Sequence, residues 1–237
     1  MRLIGVVKFH NEEEHLERCL KSLKGFCNEI CCYDAESTDN SRSIALKYTD
    51  KIITDKNDFN NESRHRQVLL NLAIANKADW IFWLDADEVV EEGGGKEIRK
   101  LCENRKGFES FSFNEINLWR SEQWYRVDNM FGDGWFNRLW RNNGRLFYDI
   151  TPGLHQPPQP KGLFNAMLCD VRIIHYGFST FDRIIKKIQM YKKWGMKVEE
   201  FKRFYDESTL ELEPLLKEVT EHKPKKLEEK VWISYLK

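Results

Sequence analysis

The sequence predicts an α/β fold: a mixed, mostly parallel, Rossmann-like sheet flanked by helices, with a helical extension at the carboxyl end. Over the first 92 residues, short apolar segments alternate with segments of helical periodicity, as βαβ units do. The segment 80–84, Trp-Ile-Phe-Trp-Leu, is apolar without interruption, which is typical of a strand buried on both faces. From residue 180 onward, apolar residues recur at helical spacing.

The first half is predicted to alternate strands with helices. Asn11, followed three residues later by Glu14, resembles a capping box, so we expect a helix to begin there. The glycines at 93–95 lack the strand context of a phosphate-binding loop, and we interpret them as a hinge or loop before the next helix. The strands are predicted at 3–9, 29–33, 51–54 and 80–84, and the helices at 12–23, 41–48, 62–76 and 96–103.

The second half is predicted to extend the sheet with strands that have little helix between them. The prolines between 152 and 160 predict a loop. The apolar face at 181–194 carries lysines beside it, which favours an amphipathic helix packed on the body, although such a helix can also lie on an anionic membrane. The strands of this half are predicted at 108–119, 135–141, 145–148 and 168–175.

The composition argues against several classes of protein. Lys plus Arg equals Asp plus Glu, at 38 each, so no basic field favours nucleic acid as a partner. The six cysteines form no CxxC pair, which argues against zinc and favours a reducing cytoplasm. No segment approaches the roughly twenty apolar residues of a membrane span. The apolar amino terminus is too short for a signal peptide.

A cluster of carboxylates directly follows the apolar segment 80–84. Asp85, Asp87 and Glu88 are poor strand formers, so the strand should end where they begin. Ligands of open α/β sheets bind at the carboxyl ends of strands. Two carboxylates separated by one residue can hold Mg²⁺ or Mn²⁺. On the residues alone, a solvated acidic turn explains the cluster equally well.

Three segments together resemble the inverting glycosyltransferases of family 2, which have the GT-A fold. The first is Val-Val-Lys-Phe-His-Asn-Glu-Glu at 6–13, and the second is Asp-Ala-Glu-Ser-Thr-Asp at 34–39, where Glu36 replaces the family's glycine. The third runs from Arg66-Gln67 to Leu-Asp-Ala-Asp-Glu at 84–88. Order and spacing both match. The resemblance is firm over residues 1–92 and looser over 135–195.

The resemblance implies a metal-dependent transfer of a sugar from a nucleoside-diphosphate donor, with UDP expected, to a hydroxyl of a saccharide or lipid-linked saccharide. Mn²⁺ or Mg²⁺ would be the cofactor. Residues 1–177 would form the catalytic domain, with a donor half at 1–92 and an acceptor half at 93–177, and residues 178–237 would form the helical extension. We expect a cytoplasmic protein, with peripheral contact at the inner membrane face through the basic helix as an alternative.

The resemblance also assigns roles to residues of the first half. Asp34 would bind the base or ribose of the nucleotide, since a carboxylate accepts N–H or O–H groups. Arg66 would approach the diphosphate or orient the carboxylates, since a guanidinium can form two hydrogen bonds to either. Asp87 would ligate the metal, and Asp85 would contact the ribose, or the metal indirectly. A turn residue and a surface charge are the structural alternatives for Asp34 and Arg66.

Weaker similarities assign roles in the second half. Arg138 lies in an Arg-Leu-Trp-Arg segment that resembles a family strand and would bind substrate. His175 follows an apolar strand, at the position of a third metal ligand in GT-A enzymes. Lys187 and Tyr191 resemble the family's Lys-x-x-x-Tyr, so Lys187 would contact phosphate. A strand-end histidine and a solvated lysine are the alternatives.

The catalytic base is the open point of the sequence. Related members have His-Glu where this chain has His155-Gln156, and glutamine cannot accept a proton at neutral pH. His155 has a suitable intrinsic pKa, and Asp149 is the alternative, with Asp133 further away in the pattern. A non-catalytic nucleotide-sugar or carbohydrate-binding relative therefore stays open, as does a sugar nucleotidyltransferase. The acidic segment 10–14 would repel the triphosphate that the latter needs.

Overall fold

A computed structural model describes residues 1–58, 61–104, 107–128, 134–150, 159–193, 207, 210–215 and 223–224. The chain divides into two compact units, residues 1–114 with 135–173, and residues 115–134 with 174–237. Both units are discontinuous in sequence, whereas the sequence predicts a boundary at residue 177; the predicted domain limits stay a prediction. The strands are β1 (Leu3–Phe9), β2 (Glu29–Asp34), β3 (Ile52–Thr54), β4 (Trp80–Asp85), β5 (Glu88–Val90), β6 (Ser110–Leu118), β7 (Trp124–Arg126), β8 (Trp135–Arg141), β9 (Ala166–His175) and β10 (Leu212–Pro214). The helices are α1 (Leu16–Lys24), α2 (Ser41–Ala45), α3 (Glu62–Ala75), α4 (Gly94–Asn104) and α5 (Phe181–Lys193).

The first unit is built on a mixed sheet with a parallel centre. β1 pairs in parallel with β2 and β4, and β2 pairs in parallel with β3. β8 adds to β4 antiparallel, and the first part of β6 adds to β8 antiparallel. This arrangement confirms the predicted α/β class with a mixed, mostly parallel sheet. It places the carboxyl ends of β1, β2 and β4 side by side.

Two apolar clusters cover the two faces of this sheet. One contains the buried side chains of α1, and the other contains those of α3 with Trp83 and Trp140. Strand residues alternate between the clusters, because successive side chains of a strand point to opposite faces. Helices on both faces bury the sheet and leave the strand ends as the place where polar side chains can gather.

The predicted start of the first helix is wrong. α1 begins at Leu16, and Asn11 has a φ of 53°, in the left-handed region that asparagine tolerates better than most residues. The Asn11 side chain is used elsewhere, because its Oδ1 accepts the backbone N–H of Thr38 at 2.8 Å. Asn11 therefore joins the loops that follow β1 and β2 instead of capping a helix.

The glycine run at 93–95 is also different from the prediction. Gly93 has a φ of 80°, but Gly94 and Gly95 are the first residues of α4. A Cβ on Gly94 would lie 2.6 Å from Cγ1 of Val171, and one on Gly95 would lie 2.6 Å from Phe26. The two glycines therefore allow the helix to approach its neighbours closely, which is a packing role and not a hinge.

The remaining boundaries follow the prediction with a few exceptions. The predicted helix through Tyr48 ends at Ala45, and the predicted strand at 145–148 contains only an isolated bridge between Phe147 and Lys161. β5, β7 and β10 have three residues each and were not predicted, since segments so short carry little pattern. Glu88 begins β5 and does not start a helix, which the sequence left open.

The second unit has its own apolar cluster. The last residues of β6 pair antiparallel with β7, and β7 pairs antiparallel with β10. α5 buries Ile184, Ile185 and Ile188 in a cluster that also holds Trp119, which confirms the predicted amphipathic helix. Within the described part of the chain, no helix is both long enough and apolar enough to cross a bilayer.

Candidate active site

The carboxylates at the ends of β2 and β4 lie at one edge of the first unit's sheet. In the strand register, Asp34 is the partner of Phe9, and Asp85 is the partner of Lys8. Since β1 lies between β2 and β4, the backbones of these two strand ends are two strand spacings apart, roughly 10 Å. Such a span suits a ligand that is laid across the strand ends.

Asp34 is held at the end of β2 by the turn that follows it. Its side chain is 1% exposed, and its Oδ1 accepts the backbone N–H of Ser37 at 2.8 Å. Arg42 Nη1 lies 3.5 Å from Oδ2 and also donates to the hydroxyl of Thr54. Glu36 adopts a φ of 54°, where the family has glycine. Glu36 therefore has the left-handed conformation that glycine adopts more easily.

Asp85 is bound by side chains on both of its carboxylate oxygens. The indole N–H of Trp83 donates to Oδ1 at 3.0 Å, and Arg138 Nη1 donates to Oδ2 at 3.2 Å. Glu88 accepts the backbone N–H of Asp85 at 2.8 Å, and its other oxygen accepts from Arg138 Nη2. Glu88 and Arg138 are 1% and 3% exposed. The strand end is thus fixed by one arginine shared between two carboxylates.

The ionisation of Asp85 follows from these contacts. Although the Asp85 side chain is 46% exposed, desolvation by the surrounding protein raises its pKa. The Arg138 and Arg66 guanidinium groups and the Trp83 N–H more than offset this effect, so the pKa lies below its ordinary value of 3.8. The neighbouring Asp87 carboxylate acts in the opposite direction. Asp85 is therefore a carboxylate at neutral pH and can accept hydrogen bonds from a ligand hydroxyl.

Arg66 brings a buried cation to the same place. It lies in the second turn of α3 and is 6% exposed. Its Nη2 donates to Glu62 at 2.6 Å, and its guanidinium lies over the Trp83 ring at 4.9 Å. Its Nε and Nη1 have no hydrogen-bond partner among the described residues. Buried N–H groups normally have partners, so these two suit an anionic ligand.

Two further polar groups surround Arg66. Tyr148 is buried, and burial raises the pKa of its hydroxyl against the opposing effect of Arg66. Burial lowers the pKa of Lys8, which lies among the charges of Glu62, Arg66 and Asp85. The structure therefore brings together Lys8, Arg66, Asp85 and Arg138, of which the sequence predicted the last three.

Asp87 lies in the turn between β4 and β5 and is 8% exposed. Its charge is close enough to Asp85 to raise the pKa of that carboxyl. A divalent cation would relieve this repulsion, and two hard oxygen ligands fit Mg²⁺ or Mn²⁺. Among the described residues, no three His, Cys, Asp or Glu side chains gather as a preformed metal cage. Mg²⁺ is usually held by one or two carboxylates together with substrate phosphates, so this donor set fits.

His175 and Lys187 contact each other in the second unit. The Nδ1–H of His175 donates to Oδ1 of Asn117 at 2.6 Å, which leaves Nε2 to accept from Lys187 Nζ at 3.1 Å. Gly177 permits this contact, because a Cβ there would lie 2.1 Å from Lys187 Nζ and 2.3 Å from His175 Nε2. In this arrangement Lys187 occupies the Nε2 lone pair that a metal ligand would use. The predicted roles of both residues stay predictions.

Among the contacts of the described residues, none joins a candidate for the catalytic base to the cluster of Lys8, Arg66, Asp85 and Arg138. Asp149 is exposed and pairs with Lys161. His155 and Gln156, together with Asp133, lie outside the described residues. The identity of the base therefore stays a prediction.

Sequence reasoning missed Lys8 of this cluster and the side chains Glu62, Trp83 and Tyr148 around Arg66. Glu62 precedes Arg66 by four residues, a helical pairing that the sequence does signal. The presence of Lys8 in the cluster can be predicted only if β1 is known to lie beside β4. Trp83 carried no signal, because an indole within an apolar strand is typical of a core residue.

Comparison with known proteins finds a family that matches this chain. The family model described as glycosyl transferase family 2 matches residues 6–156, which is more than half of the chain. The match includes Asp34, Arg66, Asp85, Asp87 and Arg138.

Curated relatives match the chain at low sequence identity. The glycosyltransferase SunS of Bacillus subtilis (strain 168) is 24% identical over 192 residues, which cover 77% of this chain and 41% of SunS. A glycosyltransferase of Rickettsia conorii is 22% identical over 193 residues, which cover 76% of this chain and 64% of that protein. The chain thus spans about two fifths of the length of SunS.

The crystal structure of residues 1–349 of TarS from S. aureus superposes with a TM-score of 0.53 at 10% identity, covering 86% of this chain and 69% of TarS 1–349. This likeness confirms the predicted GT-A fold. Together with the match of the family model, it leads to one conclusion. The chain belongs to glycosyl transferase family 2.

Proposed function

We propose that this protein is a metal-dependent, inverting glycosyltransferase. It moves a sugar from a nucleoside diphosphate, UDP in our proposal, to a hydroxyl of a saccharide or lipid-linked saccharide in glycan biosynthesis. The observation that carries the proposal is the buried Arg66, with two N–H groups that lack a partner among the described residues, beside the fixed carboxylate of Asp85.

The donor would lie across the strand ends of the first unit. Asp34 accepts a hydrogen bond from the base or ribose, and Asp85 accepts one from the ribose. Arg66 binds the diphosphate through Nε and Nη1, which gain the partners that they lack. Arg138 holds Asp85 in place and adds positive charge near the phosphates. TarS, which shares this fold, has been crystallised with UDP and with UDP-GlcNAc, and this supports UDP as the donor nucleotide here.

A divalent metal, Mn²⁺ or Mg²⁺, would be held by Asp87. It would neutralise charge on the departing diphosphate. Lys187 is our candidate phosphate contact, and its move to a phosphate would release Nε2 of His175, our further candidate ligand. Asp85 keeps its hydrogen bonds to Trp83 and Arg138 and contributes negative charge beside the metal.

Inversion requires a base on the acceptor side. The acceptor hydroxyl forms a bond to the sugar carbon while the bond to the diphosphate breaks, and the hydroxyl proton passes to a protein group. His155 is our first candidate for that group, and Asp149 is the second. Asp149→Asn and His155→Ala distinguish them, because only loss of the base removes turnover while leaving donor affinity in place. Contact of α5 with a membrane and a cytoplasmic location stay predictions.

A panel of nucleotide sugars tests the proposed function. With Mn²⁺ and a set of saccharide acceptors, we expect turnover of at least one UDP-sugar by the wild type. We expect none with Asp87→Ala. The matched control is Asp50→Ala, since the Asp50 side chain is 82% exposed and pairs only with the neighbouring Lys51 among the contacts described.

Three results would contradict the proposal. The first is that no nucleotide sugar is bound or hydrolysed. The second is that Asp87→Ala behaves like Asp50→Ala. The third is tight UDP binding without turnover on any acceptor, which would identify a binding relative instead of an enzyme. Release of pyrophosphate from a nucleoside triphosphate and a sugar phosphate would identify a nucleotidyltransferase.

A further inference from the structure

We propose that Trp83 is a positioning residue that aligns two donor-binding groups at once. Its indole N–H holds the Asp85 carboxylate, and the face of its ring holds the Arg66 guanidinium. This inference rests on the proposed function, because it concerns how the donor site is kept in shape. Neither the family resemblance nor the sequence pattern assigns Trp83 a role.

The indole N–H fixes the orientation of Asp85. Trp83 is 2% exposed, and most buried indole N–H groups have an acceptor. It donates to Oδ1 at 3.0 Å, while Arg138 donates to Oδ2 at 3.2 Å. Two donors on different oxygens set the plane of the carboxylate. The remaining lone pairs of Asp85 therefore keep one direction before any donor arrives.

The ring face fixes the position of Arg66. The guanidinium carbon lies 4.9 Å from the ring centroid, within the range of a cation–π interaction. Nη2 is held by Glu62 at 2.6 Å. The two contacts act on different parts of the guanidinium, so Nε and Nη1 are held in a set direction. A charged group that is preorganised in this way loses less entropy when the ligand binds.

Trp140 shows that this layer of the core can hold an indole without such a bond. It is 1% exposed and packs on Trp83, with ring centroids 6.3 Å apart. Its indole N–H has no hydrogen-bond partner among the described residues. An aromatic ring can therefore pack in this layer of the core without donating a hydrogen bond. The N–H of Trp83 can be removed separately from its packing.

The test compares Trp83→Phe with Trp140→Phe. Both variants keep a ring and lose one indole N–H, but only Trp83→Phe loses a bond to a charged group, which is among the stronger hydrogen bonds. In calorimetric titrations with UDP and Mn²⁺, we expect Trp83→Phe to bind UDP about tenfold more weakly. We expect Trp140→Phe to stay within twofold of the wild type. Thermal unfolding of both variants reports on packing.

A second measurement covers the case in which Trp83→Phe does not fold. In ¹⁵N-tryptophan-labelled protein, we expect one indole N–H resonance to shift in Asp85→Ala and to shift again when UDP is added to the wild type. Equal UDP affinity of the two phenylalanine variants, or the absence of any indole resonance that responds to Asp85→Ala, would overturn the inference. Failure of the wild type to bind UDP or any other nucleoside diphosphate would instead overturn the proposed function.

Discussion

Replacing Arg138 by methionine is expected to destabilise the protein by about 3–5 kcal/mol, because it removes the cation from a buried ion pair. Glu88, which accepts from Arg138 Nη2, is 1% exposed. In the variant, water cannot reach the buried Glu88 carboxylate to compensate its charge. The second pair of Arg138, with Asp85, adds little, because the Asp85 side chain is 46% exposed and exposed pairs contribute about 0–1 kcal/mol.

The double variant Arg138→Met/Glu88→Gln separates charge from packing. A neutral glutamine can still accept the backbone N–H of Asp85, so most of the loss should be recovered. About 1–2 kcal/mol would remain for the missing hydrogen bonds. Arg145→Met is the matched control, since Arg145 is 56% exposed and pairs with Glu109 at 2.9 Å. We expect it to cost at most about 1 kcal/mol.

Urea unfolding provides the assay. The transition is followed by tryptophan fluorescence and by far-UV circular dichroism, because coincident transitions are needed before a free energy of unfolding is assigned. A loss below about 1 kcal/mol in Arg138→Met, or a double variant no more stable than the single one, would refute the claim that Glu88 carries a buried charge balanced by Arg138.

Three further perturbations are predicted. Burial lowers the pKa of His65 from 6.5 to about 4, so the unfolded chain binds more protons than the folded one between these pH values. The free energy of unfolding should therefore be highest above pH 6.5 and should fall by up to about 3 kcal/mol as the pH drops to 4. Urea titrations at several pH values should show this slope reduced in His65→Phe, and an equal slope in both proteins would exclude His65 as its source. Gly94→Ala should cost about 1–3 kcal/mol by overpacking against Val171, whereas the exposed Lys96→Ala should change the free energy of unfolding by less than about 0.5 kcal/mol; equal effects would contradict the packing role. Arg66→Met should change the melting temperature little, because removing two buried N–H groups without partners among the described residues offsets the loss of the Glu62 ion pair. It should weaken UDP binding tenfold or more; a large loss of stability with intact UDP affinity would contradict the ligand-binding role.

The parallel sheet could be predicted because its strands leave a strong sequence signal. Segments 3–9 and 80–84 are apolar over a strand's length, and the polar residues that follow them mark the strand ends. The same signal located Asp34 and Asp85 at one edge of the sheet before their neighbours were known. Arg138 could be located only through the family resemblance, since a strand arginine carries no pattern of its own.

Other features depend on contacts between distant residues, which a local pattern does not contain. Asn11 has the composition of a helix cap, but its side chain binds Thr38, 27 residues away. Gly94 and Gly95 resemble a hinge, yet neighbouring side chains explain them. Trp83 looks like core, and only its partners Asp85 and Arg66 reveal a role in positioning. In each case tertiary contacts decide the meaning of a residue whose local signal points elsewhere.

The most direct test of the central claim is the affinity for UDP measured with and without Mn²⁺, in the wild type and in Asp87→Ala. If Asp87 holds a metal that binds the diphosphate, Mn²⁺ should raise the affinity of the wild type for UDP at least tenfold. It should have no such effect in Asp87→Ala, while Asp50→Ala should behave like the wild type. An affinity for UDP that is the same with and without Mn²⁺, or a metal effect that persists in Asp87→Ala, would contradict the account.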